Sequence, residues 1–392
     1  MKRKKIALAI FTRNIKEKSP IQDFLDNAKK YNHQIDHLII VYNDYVDKHI
    51  IDSYKTYCPV TAIQLGNKFF IHQSLKEIGI SERDINAIIN TPNLKKFDLV
   101  PYGTARNHAL LTALYYGFDY LFFFDSDVYP KLLTDFCEND FHFKEIDFIG
   151  SHLKYLKQKN VVVTTSDYSG YYIIPKMNFP YLMELLRGLQ KEDSYQYIST
   201  VDAPVTRNVT EDNVFDTRKA LGGNMAIDLN KFSLLPPFFS STLIINDQCF
   251  LGRGEDTLFG PLIYNNGGRC VDIDLLLFHN CFGDFPNKPT INLQKNVDRF
   301  FYACMGWIIR NPFFNWLHKE YGITTEEIDT DNRLASLKLG AKSAAKYFGD
   351  NRFLMLPDAF VAAYNKLPEE IEKFHNLMNA WKTMKTKLAV RR

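Results

Sequence analysis

Strands alternating with helices predict an α/β fold: a Rossmann-like, mostly parallel mixed sheet flanked by helices, with a C-terminal helical extension. Three observations carry this. Short apolar runs recur at 6–11, 35–42, 60–65 and 120–124, with helical spacing between several of them. The runs at 6–11, 35–42 and 120–124 end in polar residues: Thr12-Arg13-Asn14, Asn43-Asp44 and Asp125-Ser126-Asp127. Beyond 284–289, where Pro, Asn and Lys accumulate, the signals are mainly helical.

In order along the chain, 6–11 reads as a first buried strand, 20–31 as a helix, 35–42 as a second strand and 60–65 as a third. Residues 67–100 are mixed and polar, an insertion of short helices. Helical spacing at 105–116 leads into the strand at 120–124. After Pro130 the pattern loosens: 148–150 and 161–164 read as strands and 179–190 as a helix. The polar stretch 191–218 has no clear period and reads as a long surface loop or lid. The expected division is a catalytic domain over 1–288 and a helical region over 289–392, with helices at 297–309, 333–347 and 369–388. No internal repeat interrupts this order.

With 392 residues there is room for one large domain or two ordinary ones. At 46% hydrophobic and 24% charged the composition is that of a globular protein. A net charge of +3 is too small to point to nucleic acid as a partner. The six cysteines form no C-x-x-C pair and suit buried free thiols in a reducing compartment. The apolar run behind Lys2-Arg3-Lys4-Lys5 is too short for a signal peptide. No segment reaches the roughly 18 continuous apolar residues of a membrane span, so a cytoplasmic location is expected.

The most informative run is Tyr120-Leu121-Phe122-Phe123-Phe124-Asp125-Ser126-Asp127. In open α/β sheets ligands bind beyond the carboxyl ends of strands. Two carboxylates one residue apart there offer hard oxygen ligands, suited to Mg2+ or Mn2+ carrying a phosphate group; a turn would use the same residues. Gly103-Thr104-Ala105-Arg106-Asn107 opens the preceding helix, where a glycine, a helix N-terminus and Arg106 favour an anion. Gly222-Gly223-Asn224 enters a short apolar strand. Gly252-Arg253-Gly254-Glu255-Asp256 delivers adjacent carboxylates at the first turn of a helix, a placement that capping alone also favours. The run 272–279 reads as one strand ending in His279, a third protein ligand for an ion held by Asp125 and Asp127.

The order F-x-R-N, R-N, D-Y-x-F-F-x-D-S-D-V, G-G-N-x-A, G-x-G-E-D and a downstream F-H resembles that of GT-A fold glycosyltransferases. In pattern it is nearest to the β-1,4-galactosyltransferases and polypeptide N-acetylgalactosaminyltransferases, over about residues 6–280. The resemblance implies a metal-dependent transferase moving a hexosyl or N-acetylhexosaminyl unit from a UDP-sugar to a hydroxyl of a glycan or glycolipid. Thr12, Arg13, Asn14, Asp44 and Arg106 would hold the uridine and phosphates, with Asp125 and Ser126 beside the ribose. Asp125, Asp127 and His279 would bind the metal. Gly222, Gly223 and Asn224 would line the sugar subsite, Glu255 would hold the acceptor and Asp256 would act as base in an inverting displacement. The chain departs from the galactosyltransferases where they carry W-G-G-E-D: Gly252-Arg253-Gly254 supplies no aromatic acceptor platform. The signal anchor and disulfides of the Golgi members are not seen, which implies a cytosolic relative of bacterial type.

Two other readings stay open at this point. A retaining GT-A transferase would share these motifs. A non-catalytic carbohydrate-binding protein would use the 14% aromatic content, without accounting for Asp127, Glu255, Asp256 and His279 together. In the last helix, Ile371, Phe374, Met378, Trp381, Met384 and Leu388 recur every three or four positions among basic residues. That stripe suits the core, a second subunit of a homodimer, or the inner face of a membrane.

Overall fold

Tyr120–Phe124 is apolar at every position because both of its faces are covered. Phe122 and Phe124 pack with Ile6, Leu8, Ile10 and Phe24 on one side; Leu121 and Phe123 pack with Ala7, Ala9 and Ala109 on the other. The alternation is the period of two that a pleated strand imposes. A computed structural model of the chain describes residues 3–65, 70–89, 99, 101–137, 140–207 and 213–391.

The central sheet has eight strands. They are β1 (Ile6–Ile15), β2 (His37–Val46), β3 (Val60–Gln64), β4 (Tyr120–Phe124), β5 (Val161–Thr165), β6 (Phe215–Thr217), β7 (Asn224–Asp228) and β8 (Arg269–Asp272). Their order across the sheet is β6-β8-β5-β7-β4-β1-β2-β3. The pairs β1–β2, β1–β4, β2–β3 and β5–β8 are parallel; β7 runs against β4 and β5, and β6 against β8. This is a mixed, mostly parallel α/β architecture, as the sequence predicts. Its flanking helices include α1 (Ile21–Lys30), α2 (Glu82–Ile89), α3 (Tyr102–Tyr115), α4 (Phe148–Leu156), α5 (Leu182–Gly188) and α6 (Glu255–Asn265). The C-terminal region supplies α7 (Gln294–Glu320), α8 (Thr330–Phe348), α9 (Leu356–Asn365) and α10 (Leu367–Arg391).

Three local expectations need correction. Residues 148–150 open helix α4 rather than a strand, because the Asp147 carboxylate accepts from Gly150 N–H at 2.8 Å and caps that end. The stretch 191–218 is not wholly loop: Tyr195–Ser199 is helical and Phe215–Thr217 is an edge strand, while 208–212 lie outside the described residues. The expected strand over 272–279 is two strands. The chain leaves the central sheet after Asp272, passes Asp274 at a positive φ of 54°, and re-enters as β9 (Leu277–His279) in a second, three-stranded sheet. Within the insertion expected at 67–100, Phe70–Glu77 and Glu82–Ile89 are short helices as expected, and 67–69, 90–98 and 100 lie outside the described residues.

The apolar stripe of α10 is taken up by the chain itself. Phe374, Leu377, Trp381, Met384 and Leu388 are buried in the same core as Ala7, Ile39 and Phe123. The indole N–H of Trp381 donates to Leu235 O at 2.7 Å, which fixes the helix axially as well as laterally. Ile371 and Met378, also in the stripe, are partly buried against the same core. No helix among the described residues is long and apolar enough to cross a membrane. All six cysteines are free thiols, four of them buried.

Beneath β7, His152 is fully buried between Thr164 Oγ1 at 2.8 Å and Asn224 Oδ1 at 3.2 Å. The Asn224 amide donates to Asp167 O and Leu275 O, so its oxygen faces the ring and the His152 Nε2 carries the proton. Burial pushes the imidazole down to about 3, and the buried His108 down to about 4. On acidification below the ordinary histidine pKa of about 6.5, the unfolded chain takes up protons that the folded one refuses. Stability therefore falls with pH, and at about 1.36 kcal/mol per unit His152 alone accounts for roughly 2 kcal/mol by pH 5. Urea midpoints at pH 7 and pH 5 test this: His152→Gln should show a shallower pH dependence than the parent, and identical dependences would refute the assignment.

Candidate active site

The second sheet exists to bring two distant segments together. In it β9 pairs with Val128–Tyr129 on one side and Tyr168–Ser169 on the other, with His279 opposite Val128. The amide of Asn280 donates to Asp127 O at 2.8 Å and closes the register. His279 thus stands beside Asp127, with its Nε2 3.1 Å from Asp127 Oδ2. Gly170 permits the approach of the strands: its φ is 107°, and a Cβ there would lie 2.7 Å from His279 O. The Tyr168 ring covers His279 at 4.9 Å between centroids.

Burial raises the cost of charge on both carboxylates, yet they diverge. For Asp127 the hydrogen bond and charge of His279, with help from Arg299, outweigh burial and hold the group below the usual carboxylate range. For Asp125, burial and the neighbouring Asp127 and Asp256 prevail over Arg106 and raise it. Ser126, between them, is exposed. Adjacent ligands of an octahedral Mg2+ site, with bonds of about 2.1 Å, lie about 3 Å apart, which matches the Asp127–His279 separation. Among the described residues no group of three or more His, Cys, Asp or Glu side chains is placed to hold a metal ion. Two protein ligands suffice where substrate phosphates and water complete the shell, as is usual for Mg2+. One carboxylate oxygen and one imidazole nitrogen could hold a divalent ion that arrives with a diphosphate.

Behind this pair lies a buried charged node. Arg106, on the first turns of α3, is 5% exposed. Its Nε donates to Glu255 Oε1 at 2.9 Å, its Nη1 donates to Gly222 O at 3.1 Å, and its Nη2 is 3.5 Å from Asp125 Oδ1. The guanidinium also lies over the Phe123 ring, 5.2 Å from the centroid. Glycine is required at 222, because a Cβ there would fall 1.9 Å from Arg106 Nη2. Burial and the adjacent Asp256 push Glu255 up to about 7, against the pull of Arg106. Asp256 is half-exposed, and its two oxygens accept from Gly222 N–H at 2.8 Å and Thr257 N–H at 2.7 Å. A carboxylate fixed in this way can act as a positioned base.

The remaining expected residues are placed as follows. Thr12 is buried and its hydroxyl donates to Asn14 O at 3.0 Å. Arg13 and Asp44, on neighbouring parallel strands, form an exposed pair at 3.1 Å on the same edge of the sheet. Asn224 is 0% exposed, with its amide committed to Asp167, Leu275 and His152, so it props the glycine pair from below. Arg106 and Glu255 are committed to each other rather than open to a ligand. Sequence reasoning missed Tyr102 and Tyr168. Tyr102 packs edge-on against Phe11 at 5.7 Å and feels Arg253, Glu255, Asp125 and Arg13, so it lies between the two halves of the site. The only local signal was its place at a helix start.

No protein-family model matches the chain, and no curated protein matches it. Among solved structures, a mannosyltransferase from Pyrobaculum calidifontis in complex with GDP-Man and Mn2+ is 12% identical, with a TM-score of 0.38 over 94% of this chain and 88% of that one. Glucosyl-3-phosphoglycerate synthase from Mycobacterium tuberculosis, in complex with Mg2+ and UDP, is 14% identical, with a TM-score of 0.39 over 82% and 81%. The same enzyme with Mn2+, UDP and phosphoglyceric acid is 14% identical, with a TM-score of 0.36 over 77% and 78%. These likenesses are weak.

Removing one member of the charged node leaves the other buried without its counter-charge. Arg106→Gln should cost about 3–5 kcal/mol of unfolding free energy, and Arg106→Gln combined with Glu255→Gln should recover much of that loss. Denaturant midpoints of the two single variants and the double variant measure the coupling. Strict additivity would show that the pair is not the unit described.

Proposed function

We propose that the chain is a metal-dependent glycosyltransferase that moves a hexosyl or N-acetylhexosaminyl unit from a UDP-sugar to a hydroxyl of a glycan or glycolipid acceptor. The observation that carries the reading is the approach of His279 Nε2 to Asp127 Oδ2, 3.1 Å apart at the carboxyl end of β4. A bare strand-end turn gives no reason for an imidazole from 152 residues downstream (279 − 127) to be delivered there by a dedicated ladder. A non-catalytic sugar-binding protein would have equally little use for it. The preference for uridine, and the likeness to galactosyl- and N-acetylgalactosaminyltransferases, rest on the order of the sequence motifs.

In this reading Asp127 and His279 hold Mn2+ or Mg2+, with Asp125 beside them. The ion supplies neutralisation of the departing diphosphate. Thr12, Arg13, Asn14 and Asp44 form the edge that takes the nucleoside, where Arg13 can exchange its exposed partner for a ligand group. Arg106 acts through its neighbours: it holds Asp125, the Gly222 carbonyl and Glu255 in one register. Gly222 and Gly223 leave the space in which a sugar can approach the backbone; a Cβ at 223 would lie 2.5 Å from Asp125 Oδ2. Asp256 takes the proton of the acceptor hydroxyl as the new glycosidic bond forms, a contribution of about 10²–10⁴-fold for a positioned base. Direct displacement by that hydroxyl inverts the anomeric centre.

Calorimetry with UDP, with and without Mn2+, tests the donor site: binding should require the metal and should weaken sharply in Asp127→Ala and in His279→Ala. Nucleotide binding indifferent to Mn2+ in the parent would defeat the reading. Asp256→Asn should keep metal-dependent UDP binding while losing transfer by about 10²-fold or more. A product with retained anomeric configuration by NMR would remove the base role.

A further inference from the structure

Near the start of α6 stand two cations, Lys191 and Arg310, with no ion-pair partner among the described residues. Helix α7 presents Trp307, Arg310, Asn311, Phe314 and Asn315 at three- and four-residue spacing, one face of the helix. Two of these fasten the end of α5: Asn311 Nδ2 donates to Leu189 O at 2.9 Å, and Asn315 Nδ2 donates to Gln190 Oε1 at 3.3 Å. The next residue, Lys191, is thereby carried over the Trp307 ring, its ammonium 5.1 Å from the centroid. Arg310 lies over Phe314 at 4.9 Å. It also abuts the chain just before the catalytic carboxylates, since a Cβ on Gly254 would fall 2.5 Å from Arg310 Nη1.

Among the described residues, neither Lys191 nor Arg310 has a carboxylate within ion-pair distance, and the buried Arg310 Nε has no hydrogen-bond acceptor. Both are half-buried, and both pay for it. Burial together with Arg310 and Lys219 pushes Lys191 down to about 8, with Asp193 the only carboxylate opposing; burial pushes Arg310 down to about 10 against Asp256 and Glu255. Asp256 acts on Arg310 and on Asp125 alike. Through its approach to Gly254, Arg310 stands at the start of the helix that carries Asp256.

We infer that the acceptor carries an anionic group, a phosphate or a carboxylate, which Arg310 and Lys191 bind beside the helix start that carries Asp256. The inference rests on the transferase reading for its identification of Asp256 as the base. An anion placed there supplies the counter-charge that both cations lack and makes charge-assisted hydrogen bonds to each.

The test titrates the full chain, in EDTA and without donor, with glucose 6-phosphate, glucuronate and glucose as probes. Saturable binding of glucose 6-phosphate, glucuronate or both is expected, with glucose at least tenfold weaker. The two anionic arms tell phosphate from carboxylate. Lys191→Gln and Arg310→Gln should each weaken the anionic probe by about tenfold or more, and Lys191→Arg should retain it. Equal affinity for all three probes, or unchanged affinity in Lys191→Gln, overturns the inference. If Arg310→Gln does not fold, the two Lys191 variants decide. A UDP–Mn2+ titration on the same sample separates the two readings. Nucleotide binding without any preference for anionic sugars overturns only the acceptor inference. Anion binding without metal-dependent UDP binding overturns the transferase reading and the acceptor role with it.

Discussion

The contact on which the rest of the site depends is the buried ion pair of Arg106 and Glu255. It joins the start of α3 to the start of α6, and through Arg106 it also reaches the end of β4 and the Gly222 carbonyl. A pair so deeply placed is a poor source of net stability, because desolvation of both charges opposes their attraction. Its value is positional. Each partner is intolerable without the other, so the three segments that carry Asp125, Gly222 and Asp256 have one mutual arrangement.

Backbone pairing extends that arrangement to the imidazole. Once the chain leaves β8, the short strand β9 can be satisfied only by Val128–Tyr129 and Tyr168–Ser169, and the register sets His279 against the residue after Asp127. Side-chain chemistry and main-chain hydrogen bonding thus converge from opposite directions. One fixes the carboxylates against the cation behind them; the other fixes the histidine in front.

Much of this was legible in the chain, for identifiable reasons. The strand 120–124 declared itself because a run buried on both faces has no polar residue to hide it, and its end was marked by Asp125 and Asp127. Gly252 and Gly254 were legible as tight backbone leading into Glu255 and Asp256, and Gly222-Gly223 as a glycine pair entering a strand. What Arg106 does was not. An arginine at a helix start reads as an anion binder, and only a glutamate 149 residues away turns it inward. The split of 272–279 into two strands hinges on the positive φ of Asp274, which the sequence does not advertise. Residues 148–150 have strand-like composition, and a capping aspartate one residue earlier makes them helical. Lys191 and Arg310 were invisible, one in a featureless polar stretch and the other inside a long helix, because their proximity is a product of packing alone.

The burial of Trp381 has a consequence for truncation of the chain. Residues 374–388 close the same core that includes Ala7, Ala9, Ile39 and Val41 from the first two strands. Within that core the helix packs directly on α2, α7 and α9, while α3 covers the first two strands. Shortening the last helix would therefore strip α2 and α7 of cover before it bared the sheet.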